Sequence, residues 1–352
     1  MNFLIYELFS GVGFCNQLFS LETAIYFANI TNRKLILLVR YPLSHCGRAS
    51  WDYGNFVDFF SDDYKKFLPF GIDIYYRNIP IDVQSLINNH CKYIDFGDKL
   101  SRVVIIDSNV NIDSDVINFC SGRKQYIINY NLLDSYKYIH INQSNASRCF
   151  YNFYTSKENY KLMSDICFSL TKLKDFDKIY IHNICDYITL HLRLGDQQHS
   201  TEIINNHNTL KNLSNITNNI DNNISKKRGV CIMCDRKDGN ILQKLTNLYN
   251  VIFIEDFLID KSYKKIFPNI KNYSVIEFLI QIKICTTSDC FIGYETSTVS
   301  NYIQYIQYIN NKTHHLYSKN NISYGSSYTW VVNKYRGPGI GWQRFFKDNI
   351  VI

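Results

Sequence analysis

Apolar runs broken by glycine and polar turns set the first expectation. Phe3 to Leu8 is apolar, Gly11 and Gly13 interrupt the run, Leu18 to Ala28 keeps helical spacing, and Leu35 to Val39 is apolar again. Strand, glycine turn, helix and strand follow from that order, a βαβ opening. Residues 40 to 70 are aromatic and irregular, with Trp51, Tyr53, Phe56, Phe59 and Phe60. Packing accounts for such a stretch more readily than an acceptor-binding surface does. Short strands are expected at Val103 to Ile106 and near Tyr126 to Ile128, and residues 132 to 178 read as mostly helical. A second series starts with Tyr187 to Leu194 and resumes at Val230 to Met233, Val251 to Glu255 and Cys290 to Gly293. Between its first two strands, Leu210, Leu213, Ile216, Ile220 and Ile224 hold helical spacing through an asparagine-rich stretch, so residues 203 to 228 are read as a helix and not a linker. The alternation predicts an α/β fold of two doubly wound, Rossmann-like domains, residues 1–178 and 179–352.

Length and composition agree with two domains. A chain of 352 residues is too long for one compact core and long enough for two. The formal charge of +7 invites a nucleic-acid reading, but Lys and Arg are scattered instead of clustered, which argues against that partner. No run approaches the roughly twenty apolar residues of a membrane helix, and residues 2 to 8 are too short for a signal peptide, so a soluble, cytoplasmic protein is expected. The eleven cysteines are odd in number and irregular in spacing, which points to reduced thiols. Cys231 and Cys234 form a C-x-x-C without a second pair at workable spacing; they read as small strand residues, and no metal site is expected.

The segment that carries most chemistry is Ile188-Thr-Leu-His191-Leu-Arg193-Leu-Gly195-Asp196, a strand ending in charged residues and a glycine turn. Ligands of open α/β sheets collect beyond the carboxyl ends of strands, where the following helix also points its N–H groups. An arginine there neutralises a diphosphate leaving group with a permanent charge and a planar fork. A surface Arg193–Asp196 pair across a turn is the plainer alternative.

His191-x-Arg193 followed by Gly195-Asp196 resembles the H-x-R strand of GDP-fucose-dependent fucosyltransferases, among them the protein O-fucosyltransferases and the α1,2 and α1,6 enzymes. Three further segments share the resemblance. Gly11-Val-Gly13-Phe14-Cys15-Asn16-Gln17-Leu18 is similar to the G-x-x-x-N-Q turn that opens their first domain. Ser288-Asp289-Cys290-Phe291-Ile292-Gly293, then Glu295 to Ser300, resembles their strand and hydroxyl-rich helix start near the guanine ring and β-phosphate. Val230 to Cys234 with Asp235 and Arg236 is similar to their strand closing in Thr-Asp. Taken singly, Asn16 also reads as a helix cap, and the Ser/Thr cluster as a capping sequence.

The resemblance implies a GT-B glycosyltransferase, two Rossmann-like domains facing a central cleft, with GDP-fucose as donor and no metal or other cofactor. It places Asp289 toward the base and Asp235 at the ribose. Arg193, Ser297, Thr298 and Val299 fall around the β-phosphate, His191 supports the nucleotide, and Gly13, Phe14 and Asn16 meet the sugar. A glycan or protein hydroxyl is the implied acceptor, with inversion at the anomeric carbon. The first loop departs from the pattern: some relatives carry an arginine there and others an acid that serves as base, whereas this chain has Val12 and Gly13. Asp196 is therefore the nearest acid for the proton-acceptor role, with Glu22 and Asp52 as alternatives. Two other readings compete. Asp113-Ser-Asp115 is a D-x-D triplet of the sort that holds a divalent cation in metal-dependent GT-A enzymes. The missing charge in the first loop also fits a non-catalytic nucleotide-sugar or glycan-binding relative.

Overall fold

The structure, a computed structural model, describes residues 1–8, 14–39, 59–90, 92–95, 104–105, 117–119, 123–125, 136–141, 157–175, 186–192, 210–224, 229–234, 240–258, 263–268, 274–294, 297–310 and 312–317. The chain divides into two compact units, the first closing at Lys174 and the second opening at Asp175.

The first unit begins with β1 (Phe3–Glu7), α1 (Phe14–Ile30) and β2 (Lys34–Val39), the βαβ opening read from the apolar pattern. It continues through a 3-10 turn (Asp62–Phe67), β3 (Ile72–Tyr76), α2 (Ile81–His90), β4 (Lys92–Asp95) and β5 (Val104–Ile105). A small hairpin of β6 (Ile117–Phe119) and β7 (Arg123–Gln125) follows, then β8 (Tyr138–Ile141) and α3 (Lys157–Leu170). Strand order in the main sheet is β3-β2-β1-β8-β4-β5, parallel except for the antiparallel β5 edge. Parallel strands covered on both faces read as near-continuous apolar runs, which is why β1 and β2 were legible. Tyr138-Ile-His-Ile is not such a run, so β8 is a strand inside a region that the pattern gave to helix. The helical expectation survives there in α3.

Arg33 ties the sheet together at its amino end. Its guanidinium is fully buried and donates to the carbonyl oxygens of Phe3 and Lys137, at the starts of β1 and β8.

The second unit holds β9 (Tyr187–Leu192), α4 (Leu210–Asn223), β10 (Gly229–Cys234), α5 (Asn240–Leu248) and β11 (Val251–Phe253). After a short α6 (Tyr263–Ile266) come α7 (Ser274–Thr287), β12 (Cys290–Tyr294), α8 (Thr298–Ile309) and β13 (Thr313–Tyr317). All five strands are parallel, in the order β11-β10-β9-β12-β13. Ile216 and Ile220 of α4 are buried against Ile188, Leu190 and Leu192 of β9, so the asparagine-rich segment is a core helix with a polar outer face.

In both units the sheet grows outward in one direction from its first strand and then returns to that strand's other side. Such reversals fall between β1 and β8 and between β9 and β12. Open α/β sheets take their ligands at the carboxyl ends of the strands flanking that point.

Candidate active site

His191 is the penultimate residue of β9, in register with Met233 of β10, and lies at the carboxyl end of the second sheet. Its side chain is buried, with Nδ1 2.6 Å from Ser300 Oγ. The same Oγ accepts a 2.8 Å hydrogen bond from the backbone N–H of Tyr294, the last residue of β12. A serine hydroxyl has one proton to give. The oxygen also has two lone pairs, so beside the Tyr294 N–H it serves Nδ1 either as donor or as acceptor, and the contact holds the ring in place in both cases.

This cluster exists because α8 packs directly on β12. A Cβ placed on Gly293 would stand 2.7 Å from both Cβ and Oγ of Ser300 and 2.8 Å from a ring carbon of Phe291. Only glycine lets the helix approach that closely, the usual meaning of a glycine inside a strand. Glycine at 293 and serine at 300 were both within the segment singled out from the sequence. Their contact was not legible, because it is made by folding and not by spacing.

Before α8, Ser297 is fully buried and its backbone N–H donates to Tyr294 O at 3.0 Å. Among the described residues its Oγ finds no hydrogen-bond partner. The hydroxyl therefore does not cap α8 in the way an N-cap serine ordinarily does, by accepting from the second or third helical N–H. Thr298 is the first helical residue and Val299, partly buried, the second. Buried polar groups nearly always find a partner, so an orphaned hydroxyl at a helix N-terminus is suited to a ligand oxygen.

Asp289 does not join this group. It is exposed and precedes β12, whose Cys290 pairs with Ile188, so the register sets it level with Tyr187 at the amino end of the sheet. About 13 Å of strand separates that level from His191. The expected contact of Asp289 with a nucleotide base is corrected on that ground. Arg193 and Asp196 follow β9, and Asp235 follows β10, but these three and Gly13 lie outside the described residues, as do Asp52, Asp113 and Asp115. Phe14 opens α1 and is buried; Asn16 stands in the first turn of α1, where only its backbone is described. Glu22 is fully buried within α1.

The first unit contains a titratable pair that the sequence did not reveal. Glu7 Oε1 accepts from His140 Nε2 at 2.9 Å, joining the last residue of β1 to β8 across the reversal point. The two residues are 133 positions apart, so no local motif announces them.

Two of the described cysteines are held inert by burial. Cys231 and Cys285 are buried and their thiols are pushed well above the ordinary range, chiefly by desolvation. Such thiols stay protonated and unreactive. Among the described residues no cluster of three or more His, Cys, Asp or Glu stands ready for a metal ion. Among the same residues no helix is long and apolar enough to cross a membrane.

No family model matches the chain, and no curated protein matches it. Among solved structures, the NodZ α-1,6-fucosyltransferase co-crystallised with GDP aligns at 14% identity and a TM-score of 0.47, covering 92% of this chain and 98% of that one. NodZ from Bradyrhizobium gives the same identity and coverage at a TM-score of 0.48. POFUT1 in complex with GDP aligns at 10% identity and a TM-score of 0.47, over 87% of this chain and 94% of that one. At such identities and TM-scores below 0.5, none of these likenesses assigns an activity to this chain.

Proposed function

We propose that the protein is a glycosyltransferase that moves fucose from GDP-fucose to a hydroxyl of a glycan or protein, with inversion and without a metal. The observation that carries this reading is the pairing of His191 with Ser300 at the reversal point of the second sheet, beside the buried, unpartnered Ser297 hydroxyl and the start of α8. A hydroxyl and helical N–H groups, with the His191 ring held beside them, form an anion site of the type a diphosphate occupies. The motif that brings them together is the His191-x-Arg193 strand with the hydroxyl-rich segment, the same segments that resemble fucosyltransferases.

In this reading the GDP moiety lies on the second unit. Arg193 and His191 meet the β-phosphate from the end of β9, and Ser297, Thr298 and the Val299 N–H meet it from α8. Asp235, next after β10 in the sequence, serves the ribose. Gly13, Phe14 and Asn16 serve the sugar. The acceptor oxygen bonds to the anomeric carbon while the bond from that carbon to the diphosphate oxygen breaks, its electron pair leaving on GDP. Most of the stabilisation comes from positive charge and donors already in place on the departing phosphate. A reducing, cytoplasmic setting is the expectation that goes with this reading.

Calorimetric titration with GDP in the presence of EDTA, with UDP as the comparison, tests the assignment. Binding of GDP in the micromolar range without metal, and weaker binding of UDP, is the expected result. Absence of GDP binding would overturn the reading, and binding that returns only with manganese would turn attention to Asp113 and Asp115.

A further inference from the structure

We propose that the second unit contains a built water site on the inner side of α8, walled by the side-chain amides of Gln304 and Gln307. The helix reads Thr298-Val-Ser-Asn-Tyr-Ile-Gln-Tyr-Ile-Gln-Tyr-Ile, so two glutamines interrupt last turns that are otherwise tyrosine and isoleucine. Every residue from Tyr302 to Gln307 is buried, none more than 2% exposed, and neither glutamine reaches solvent. Ser300, Gln304 and Gln307 recur at intervals of four and three, which sets them on one stripe of the helix.

Both ends of that stripe are anchored inward. Ser300 Oγ meets His191 Nδ1 of β9 and the Tyr294 N–H of β12. Gln307 Nε2 donates to Cys285 O at 2.7 Å and to Ser288 O at 3.0 Å, tying α8 to the end of α7 and the approach to β12. Gln304 stands between these anchors, and it is the exception. Among the described residues neither its Nε2 nor its Oε1 finds a hydrogen-bond partner, and Gln307 Oε1 finds none either.

Rotating the amides does not remove the problem. Exchanging oxygen and nitrogen in Gln304 leaves both atoms as they were, since both are affected. Turning Gln307 would aim its own oxygen at two carbonyl oxygens. A side-chain amide brings two donors and one acceptor, and burying it unbonded is costly. Folded proteins meet that cost with ordered water where several polar atoms converge. A water that accepts from Gln304 Nε2–H and donates to Gln307 Oε1 serves both residues at once. One helical turn separates them, roughly 5–6 Å between Cβ atoms, which is a span for a bridging water and too long for a direct backbone-like contact.

Two measurements on the full chain test the site. Oxygen-17 magnetic relaxation dispersion counts the waters that stay bound longer than the protein takes to tumble. Gln304→Met replaces the amide with an apolar side chain of similar length, a change the fold should tolerate, and should lower that count by at least one. A high-resolution crystal structure of the wild-type protein should show water within hydrogen-bond distance of Gln304 and Gln307. An unchanged count in Gln304→Met overturns the proposal, and so does a crystal structure in which the Gln304 amide is dry or bonds to protein. If Gln304→Met does not fold, the wild-type crystal structure decides. Neither readout involves a nucleotide, so a failure of the donor-site reading leaves this inference standing.

Discussion

Ser300 does two things with one hydroxyl: it satisfies the Tyr294 N–H and it holds the His191 ring through Nδ1. Ser300→Ala removes both. The Tyr294 N–H is left buried without its acceptor, which costs about 1–3 kcal/mol, and the imidazole loses the group that fixes its orientation. Urea denaturation should register the first loss and GDP calorimetry the second, as weaker binding; an unchanged midpoint and an unchanged Kd together would show that the hydroxyl is incidental. At this scale the sequence was only partly legible. His191 and the serine-rich start of α8 were visible as residue types in a suggestive order. The Gly293–Ser300 contact and the Glu7–His140 pair were not, since each is a tertiary meeting of residues whose neighbours say nothing about it. Asp289 misled for a related reason. Its place in a motif was clear, but strand register decides which end of a sheet a residue occupies, and register is not written in a single segment.

Elements were legible where burial is two-sided. The runs of β1, β2, β9, β10 and β12 are mostly apolar, and each became a buried parallel strand. Ile72-Asp-Ile-Tyr-Tyr of β3 and Thr313-His-His-Leu-Tyr of β13 are edge strands with mixed sequences, and they were missed. How elements are pinned to each other also yields a measurable pH effect. Asp63, in the 3-10 turn, accepts a hydrogen bond from Lys172 just beyond α3, and that bond holds its carboxyl below the ordinary 3.8. A depressed folded value means that the contribution is complete above the ordinary carboxylate range and is lost as pH falls through the folded value. Asp63→Asn should therefore leave the protein less sensitive to acid below about pH 4, with little change at neutrality because both side chains are well exposed to solvent. Thermal midpoints of the two proteins measured from neutral to acid pH check the sign; parallel curves would refute it.

For the whole molecule, a ligand that binds only the folded second unit must stabilise it by mass action. GDP at about a hundredfold its Kd adds about 2.7 kcal/mol, which corresponds to a rise in unfolding midpoint of roughly 5–11 °C for units of this size. The rise should persist in EDTA. A midpoint that GDP moves only when manganese is present would contradict the metal-free donor site.

The strand orders have one more consequence, and it concerns the chain while it is being made. In each unit the first strand synthesised becomes a central strand, and one of its two neighbours arrives late: β8 reaches β1 only at Tyr138, and β12 reaches β9 only at Cys290. Until then β1 and β9 each present one bare edge, apolar and unpaired, to whatever strand is nearby on the ribosome. Each is parallel-pairing and buried in the finished protein, so each is also a plausible partner for the other. Messages truncated before codon 138 should consequently give insoluble product, because the edge of β1 that β8 covers is left open.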